Sequence, residues 1–285
     1  MKPGARRCVV RHLQDAHGVS QRRACRVIEQ PLSTERYRSV RADDGPLREH
    51  VRQYAAKHHR WGYRRLLWLA QRDGLGVGRM RLQRVYQEEG QQVQRRKRRR
   101  KLAARRVPLD QAQRPDQTWG LDFVHDVTTN GRRLRILSII DLFTRECLAL
   151  EVDVSLSGHR VARVLSRIAQ SRGLPNHIVC DNGPEFTGLA FNAWAKERGV
   201  DIAFIQPGKP TQNGYVGSFT GSLRDECLNA HIFTSLDDAV GKIGRWRNEY
   251  NWHRPHSSLA NLPPALVRGL RQDGLAITTA DIVPS

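Results

Sequence analysis

The chain has 285 residues, with 48 Lys and Arg against 28 Asp and Glu and a net charge of +20, a length that suits one sizeable domain with one or two small ones. No apolar run approaches the roughly 18 residues of a membrane span, and no signal-peptide hydrophobic region opens the chain. Cys8, Cys25, Cys147, Cys180 and Cys227 are odd in number, widely spaced and without a Cys-x-x-Cys pair, which excludes a disulfide framework and a zinc knuckle and fits the reducing cytoplasm.

The charge is uneven. Residues 1–107 hold 29 Lys and Arg against 9 Asp and Glu, whereas residues 108–285 hold 19 of each. A surface with that excess attracts polyanions, nucleic acid first, because each phosphate neutralised releases counterions. A solubilising or ribosome-associated basic tail is the competing explanation. In chain order, Arg6–Ala16, Gln21–Ile28 and a third helix capped by Ser33 read as a helix-turn-helix unit over residues 1–44, with Arg36 and Arg38 as candidate DNA contacts. A basic three-helix bundle without a DNA role has the same grammar. A second helical unit over 45–92 has apolar stripes at Leu47, Val51 and Ala55, at Leu66, Leu69 and Ala70, and at Leu82, Val85 and Tyr86. Arg64 and Arg65 stand there beside Trp61, Tyr63 and Trp68 as candidate phosphate contacts, Trp68 itself reading as core. Residues 93–112 form a basic linker, since Arg98, Arg99 and Arg100 sit in a run too densely charged to pack.

From residue 113 the pattern changes. Strands are expected over Trp119–Thr129, Leu134–Asp141 and Cys147–Val154, the first two joined by an Asn130-Gly131 hairpin. A helix over Gly158–Ser171, a strand over His177–Cys180, a helix over Leu189–Arg198, a strand over Ile202–Ile205 and a helix from Gln212 or Asn213 follow. This is the order of an α/β ribonuclease H-like core, a mixed five-stranded sheet with helices, over 113–268. An amphipathic helix over Ser235–Tyr250 and an uninformative tail over 269–285 complete the chain. In this order Asp122 lies on the central strand and Asp181 closes the fourth, which brings two carboxylates to one sheet edge. Taken singly, an Asp is more often a surface or turn residue. Paired, they suit Mg²⁺, and two such ions about 3.5–4 Å apart can clamp both oxygens of a phosphoryl transfer.

Seven segments carry a resemblance that spans Gln14 to Pro264. They are Arg22-Arg23-Ala24-Cys25-Arg26, Trp61-Gly62-Tyr63-Arg64-Arg65, Trp119-x-x-Asp122-Phe123, Asp141-x-Phe143-Thr144-Arg145-Glu146, Asp181-Asn182-Gly183-Pro184-Glu185-Phe186, Gln206 to Asn213, and Tyr250-Asn251-x-x-Arg254-Pro255-His256-Ser257-Ser258-Leu259. Together they resemble the second-reading-frame transposase of the insertion sequence 3 family, related to retroviral integrases. The resemblance implies that Asp122 and Asp181 ligate Mg²⁺ or Mn²⁺, two ions in the family, and that Lys209, Gln212 and Asn213 lie beside the strand being joined. It implies cleavage at transposon ends, strand transfer by a 3′-hydroxyl, double-stranded terminal-repeat and target DNA as partners, a homo-oligomer, a place for the upstream-frame product, and a bacterial cytoplasmic, nucleoid-associated setting.

The family's third catalytic position falls 35 intervening residues after Asp181, on Gly217. Glycine has no ligand atom, and inside a helix it costs about 1 kcal/mol relative to alanine. Small residues at Gly214, Gly217 and Gly221 would alternatively let the helix approach the sheet closely. Asp225 lies roughly 80° around and about 12 Å along an ideal helix and Glu226 points nearly opposite, Asp126 lies two side-chain repeats from Asp122, and Glu185 is the substitute favoured by proximity. The residues Asn251, His253, Arg254 and His256 do not have the spacing of a zinc site, and hydrogen bonding that fixes the last helix is the expected role. Two functions follow: a transposase subunit of uncertain turnover, or a catalytically inert DNA-binding remnant or regulator of intact copies. An unrelated nuclease of the same fold would leave the helical units unexplained.

Overall fold

The computed structural model describes residues 3–37, 43–93, 112–205 and 214–272. Its chain divides into two compact units, Met1–Gly45 and Pro46–Ser285.

In the first unit, α1 (Pro3–His17), α2 (Gln21–Val27) and α3 (Leu32–Arg36) close around Val10, Ala24 and Cys25. Gly18, at φ +60, makes the break after α1, a backbone region that favours glycine. Ser20 caps α2 by accepting from the Arg23 N–H at 3.4 Å. The third helix departs from expectation. It follows Pro31 instead of being capped by Ser33, and it is only five residues long. The Arg6 and Arg7 guanidiniums tie α1 to the carbonyls of Glu29 and Thr34, at 3.0 and 2.6 Å.

The second unit begins with α4 (Gly45–Lys57), α5 (Tyr63–Arg72) and α6 (Arg79–Glu88). Their apolar stripes meet in one small core of Leu47, Val51, Trp61, Leu66, Leu82 and Val85, with Trp68 packed at its edge. The sheet follows: β1 (Thr118–Val127), β2 (Arg133–Asp141), β3 (Cys147–Asp153), β4 (His177–Cys180) and β5 (Asp201–Phe204). The order is β3-β2-β1-β4-β5. The first three strands are antiparallel, and β4 and β5 add in parallel. The β1–β2 hairpin turns at Asn130 and Gly131, the latter at φ +78.

Because side chains alternate along a strand, β1 serves two cores. Trp119, Leu121 and Phe123 pack with α7 (Gly158–Arg172) and α9 (Leu189–Glu197), whereas Val124 packs with α10 (Gly214–Glu226) and α11 (Leu236–Trp252). Two helices lack an obvious signal in the sequence. One is the four-residue α8 (Pro184–Thr187), and the other is α12 (Pro264–Gln272), which runs through position 268 into the stretch read as tail. Among the described residues no helix is long and apolar enough to cross a membrane.

Candidate active site

The parallel pairing of β1 with β4 sets Gly120 opposite Val179. Two residues further along both strands lie Asp122 and Asp181, so the register itself delivers the carboxylate pair. Asp122 is half-buried on the face that receives α10. Its Oδ2 accepts from the Thr220 hydroxyl at 3.0 Å and its Oδ1 from the Phe123 N–H at 2.9 Å. Burial pushes its pKa above the usual carboxylate range, and the charge of Asp181 adds to that shift against the pull of the two hydrogen bonds. Asp181 is exposed just past the end of β4, where its Oδ1 accepts from the Gly183 N–H at 3.0 Å.

Gly217 lies on α10 one turn before Thr220. Thr220 and Arg224, which donates to the His125 carbonyl at 3.1 Å, mark the flank of α10 that reaches β1. A side chain at 217 falls on that flank, because residues three or four apart on a helix are neighbours. A Cβ built there meets nothing within 4 Å, and the same holds at Gly214 and Gly221. The close-approach explanation of these glycines is therefore overturned. The glycine that admits α10 to the sheet is Gly120, where a Cβ would stand 2.4 Å from Val216 Cγ2 and 2.8 Å from Leu142 Cδ2.

Each of the alternative acids has a partner in the fold. Glu185 pairs with Arg135 at 2.7 Å, which lowers its pKa, and Arg135 stacks over the Phe123 ring at 4.6 Å. Phe123 faces the opposite side of β1 from Asp122, but Glu185 also stays beside Asp181: a Cβ at Gly183 would stand 3.4 Å from Glu185 Oε2 and 3.0 Å from Asp181 Oδ1. Asp225 pairs with Arg60 at 3.6 Å, and the Asp126 carboxylate accepts from the Val127 N–H at 2.8 Å. Glu226 is enclosed: Arg254 at 2.7 Å, Arg65 at 3.0 Å and the Trp61 indole at 3.4 Å all converge on it. Among the described residues no group of three or more His, Cys, Asp or Glu is arranged to hold a metal.

The other expected residues divide. Arg64 is exposed and donates to the Tyr63 hydroxyl at 3.5 Å, and Arg36 donates to Gln21 at 3.3 Å. Arg65 is engaged by Glu226 at 3.0 Å; burial and the neighbouring Arg254 charge lower its pKa, and Glu226 opposes them. Arg38, Arg98, Arg99, Arg100, Lys209, Gln212 and Asn213 lie outside the described residues. Asn251 brackets the Cys147 N–H and carbonyl, both at 2.9 Å, and so fixes the end of α11, the last helix read from the sequence, to β3. Thr220 escaped sequence reasoning, although its place three residues after position 217 was a usable signal.

Two models described as integrase core domain match, over residues 112–210 and 198–264. The 31.7 kDa protein of insertion element IS407 from Burkholderia multivorans is 41% identical over 254 residues, covering 89% of this chain and 92% of that protein. The transposase of insertion sequence element IS629 from Shigella sonnei is 26% identical, covering 80% and 81%. Among solved structures, a chain of the simian T-cell lymphotropic virus intasome in complex with the PP2A regulatory subunit B56 gamma shares the fold, with a TM-score of 0.50 and 15% identity over 77% of this chain and 74% of that one. The carboxylate pair on β1 and β4, the mixed sheet that carries it and the near full-length match to an insertion-element protein place this chain in the insertion sequence 3 family of transposases, with an integrase catalytic core.

Proposed function

We propose that this chain binds the terminal-repeat DNA of its element as a transposase subunit and that Gly217 leaves its catalytic centre one carboxylate short, so that it occupies DNA ends without efficient strand cleavage or joining. The observation that carries this reading is the open space at Gly217 on the flank of α10 bonded to Asp122, with Glu226 enclosed by arginines and Glu185, the acid beside Asp181, paired with Arg135.

Asp122 and Asp181 are suited to hold one Mg²⁺ or Mn²⁺, since Mg²⁺ accepts one or two carboxylates with water completing its shell, and a cation would favour the ionised Asp122 that burial and then the charge of Asp181 disfavour. When bound, the ion would neutralise charge at the phosphoryl group. A second ion has no further carboxylate to share. Thr220 holds one Asp122 oxygen in place, and the Gly183 N–H does the same for Asp181. Duplex DNA is the partner proposed for the basic first third of the chain, through Arg36, Arg38, Arg64, Arg65 and the run at Arg98, Arg99 and Arg100. Lys209, Gln212 and Asn213 are proposed to lie along the strand to be joined. Assembly as a homo-oligomer, with the upstream-frame product as a further component, belongs to the same reading.

Cleavage and joining of terminal-repeat DNA with Mg²⁺ or Mn²⁺ test it, comparing the chain as it stands with Gly217→Glu. Restoring the acid should raise activity by at least about 100-fold, the upper end of what losing an outer-shell metal partner costs. Robust activity of the unmodified chain, abolished by Asp181→Asn, would sink the proposal.

A further inference from the structure

A cavity of about 350 Å³ opens where α5, the β2–β3 turn, α10 and the 3-10 turn after α11 come together. Arg64, Arg65, Arg145 and Arg254 all line it, with Tyr215 and Ser258 at its sides. One carboxylate, Glu226, answers Arg65 and Arg254 from behind. Among the described residues no Asp or Glu forms an ion pair with Arg64 or Arg145. Arg145 instead lies 3.2 Å from the centroid of the Tyr215 ring and donates to the Leu142 carbonyl. Positive charge is thus concentrated in a recess.

The neighbouring ring registers that field. His256 accepts from Arg254 at 3.2 Å and is pushed down to about 2 by burial and then by Arg254, Arg65 and Arg145. It stays neutral, its one acceptor nitrogen taken by Arg254, while the guanidiniums of Arg64 and Arg145, which no carboxylate pairs among the described residues, are groups that suit phosphate oxygens. The volume is that of a small-ligand site, about 300–1,000 Å³, more than a bare phosphate needs.

We infer that this cavity takes one phosphodiester of a DNA strand together with its nucleotide, as a second contact separate from the carboxylate pair. The inference rests on the DNA-binding reading above. Geometry links the two sites through α10. At about 100° per residue, Tyr215, Ser218 and Ser222 on the cavity side stand roughly 160° around the helix from the flank of Gly217, Thr220 and Arg224. Gly214 and Gly221 lie between them and Gly217 at the edge of the carboxylate flank, all three exposed, with nothing within 4 Å of a Cβ built at each. A strand crossing α10 at its glycines meets the carboxylates on one side and the arginines on the other.

The test uses the full chain, a labelled terminal-repeat duplex and inorganic phosphate as separate probes. Ser258→Glu sets a carboxylate at the rim without disturbing the buried arginines, and Arg64→Gln removes one exposed charge. Ser155→Glu, exposed in the loop before α7, is the charge-matched control, and thermal melts verify folding of each variant. Both cavity variants should bind the duplex about tenfold more weakly, with a salt dependence shallower by about one unit for Arg64→Gln; the control should match the parent. Unchanged duplex affinity and salt slope in both cavity variants would overturn the inference. Loss of inorganic phosphate binding with duplex affinity kept would assign the cavity to a free anion and overturn it too. A parent chain that binds no duplex fails the DNA-binding reading and the cavity together, whereas the first two outcomes fail the cavity alone.

Discussion

The two halves of α10 make opposite use of the same helix. Its C-terminal half ends in Glu226, enclosed by Arg254, Arg65 and Trp61, so that α5, α10 and the segment after α11 are pinned at one carboxylate. Its N-terminal half carries Gly217 in open space, one turn from the Thr220 hydroxyl that still holds Asp122. Where the helix supports the fold its acid is fully partnered, and at the position where the family places an acid there is a glycine in open space. A glycine at a solvent-facing helix position costs the fold about 1 kcal/mol in propensity, less than loss of the acid at the enclosed end.

That contrast can be broken at either end. The largest stability effect is expected for Glu226→Ala, which leaves two arginines facing a void; about 3–5 kcal/mol of destabilisation is typical when one partner of a buried pair is removed, and denaturant unfolding measures it. The pH dependence has a definite sign. The Glu226 pKa is lowered, despite opposing burial, by the Arg254 hydrogen bond and by the charges of Arg254 and Arg65, and that of Glu249 is lowered to about 2, first by its His58 hydrogen bond. Their contribution is therefore present above the ordinary glutamate pKa and is lost as pH falls through the folded values, so the parent's stability should drop on acidification more steeply than that of Glu226→Ala.

Next in size is Gly120→Ala. Its Cβ would collide with Val216 and Leu142, and overpacking of this kind costs about 1–3 kcal/mol. A melting temperature equal to the parent's would show that α10 does not need this close approach. The opposite sign is expected at Gly217→Ala, where nothing is met and a helix glycine is replaced; a gain of about 1 kcal/mol follows from propensity. The smallest change is expected for Asp122→Asn without metal. Because the Asp122 pKa is raised in the fold, ionisation works against folding as pH rises through the unfolded value, so the amide should raise the melting temperature at neutral pH and leave it nearly unchanged in acid. A lower melting temperature at neutral pH would contradict the burial argument.

Much of this was legible in the sequence because the signals were local. Strand alternation, the Asn130-Gly131 turn and the spacing of Asp122 and Asp181 each depend on neighbours along the chain, and they led to the sheet, the pair at its edge and the transposase family. Gly217 was visible as a departure by counting from Asp181. The sequence did not show partners that lie across the fold. Glu185 follows Asp181 closely in sequence, and its carboxylate also pairs with Arg135 from β2. Arg65, a candidate phosphate contact, is in addition engaged by Glu226, 161 residues away in sequence.

The glycines show most plainly how the information divides. By itself the sequence determined that position 217 has no carboxylate, since ligand chemistry belongs to the side chain and a missing one needs no structure to detect. Only the tertiary structure decided which glycine is required: Gly120 on β1 lies against α10, and Gly217 faces open space. The amino acid is the same at both positions, and the distance to the next packed atom separates a steric necessity from a position in open space.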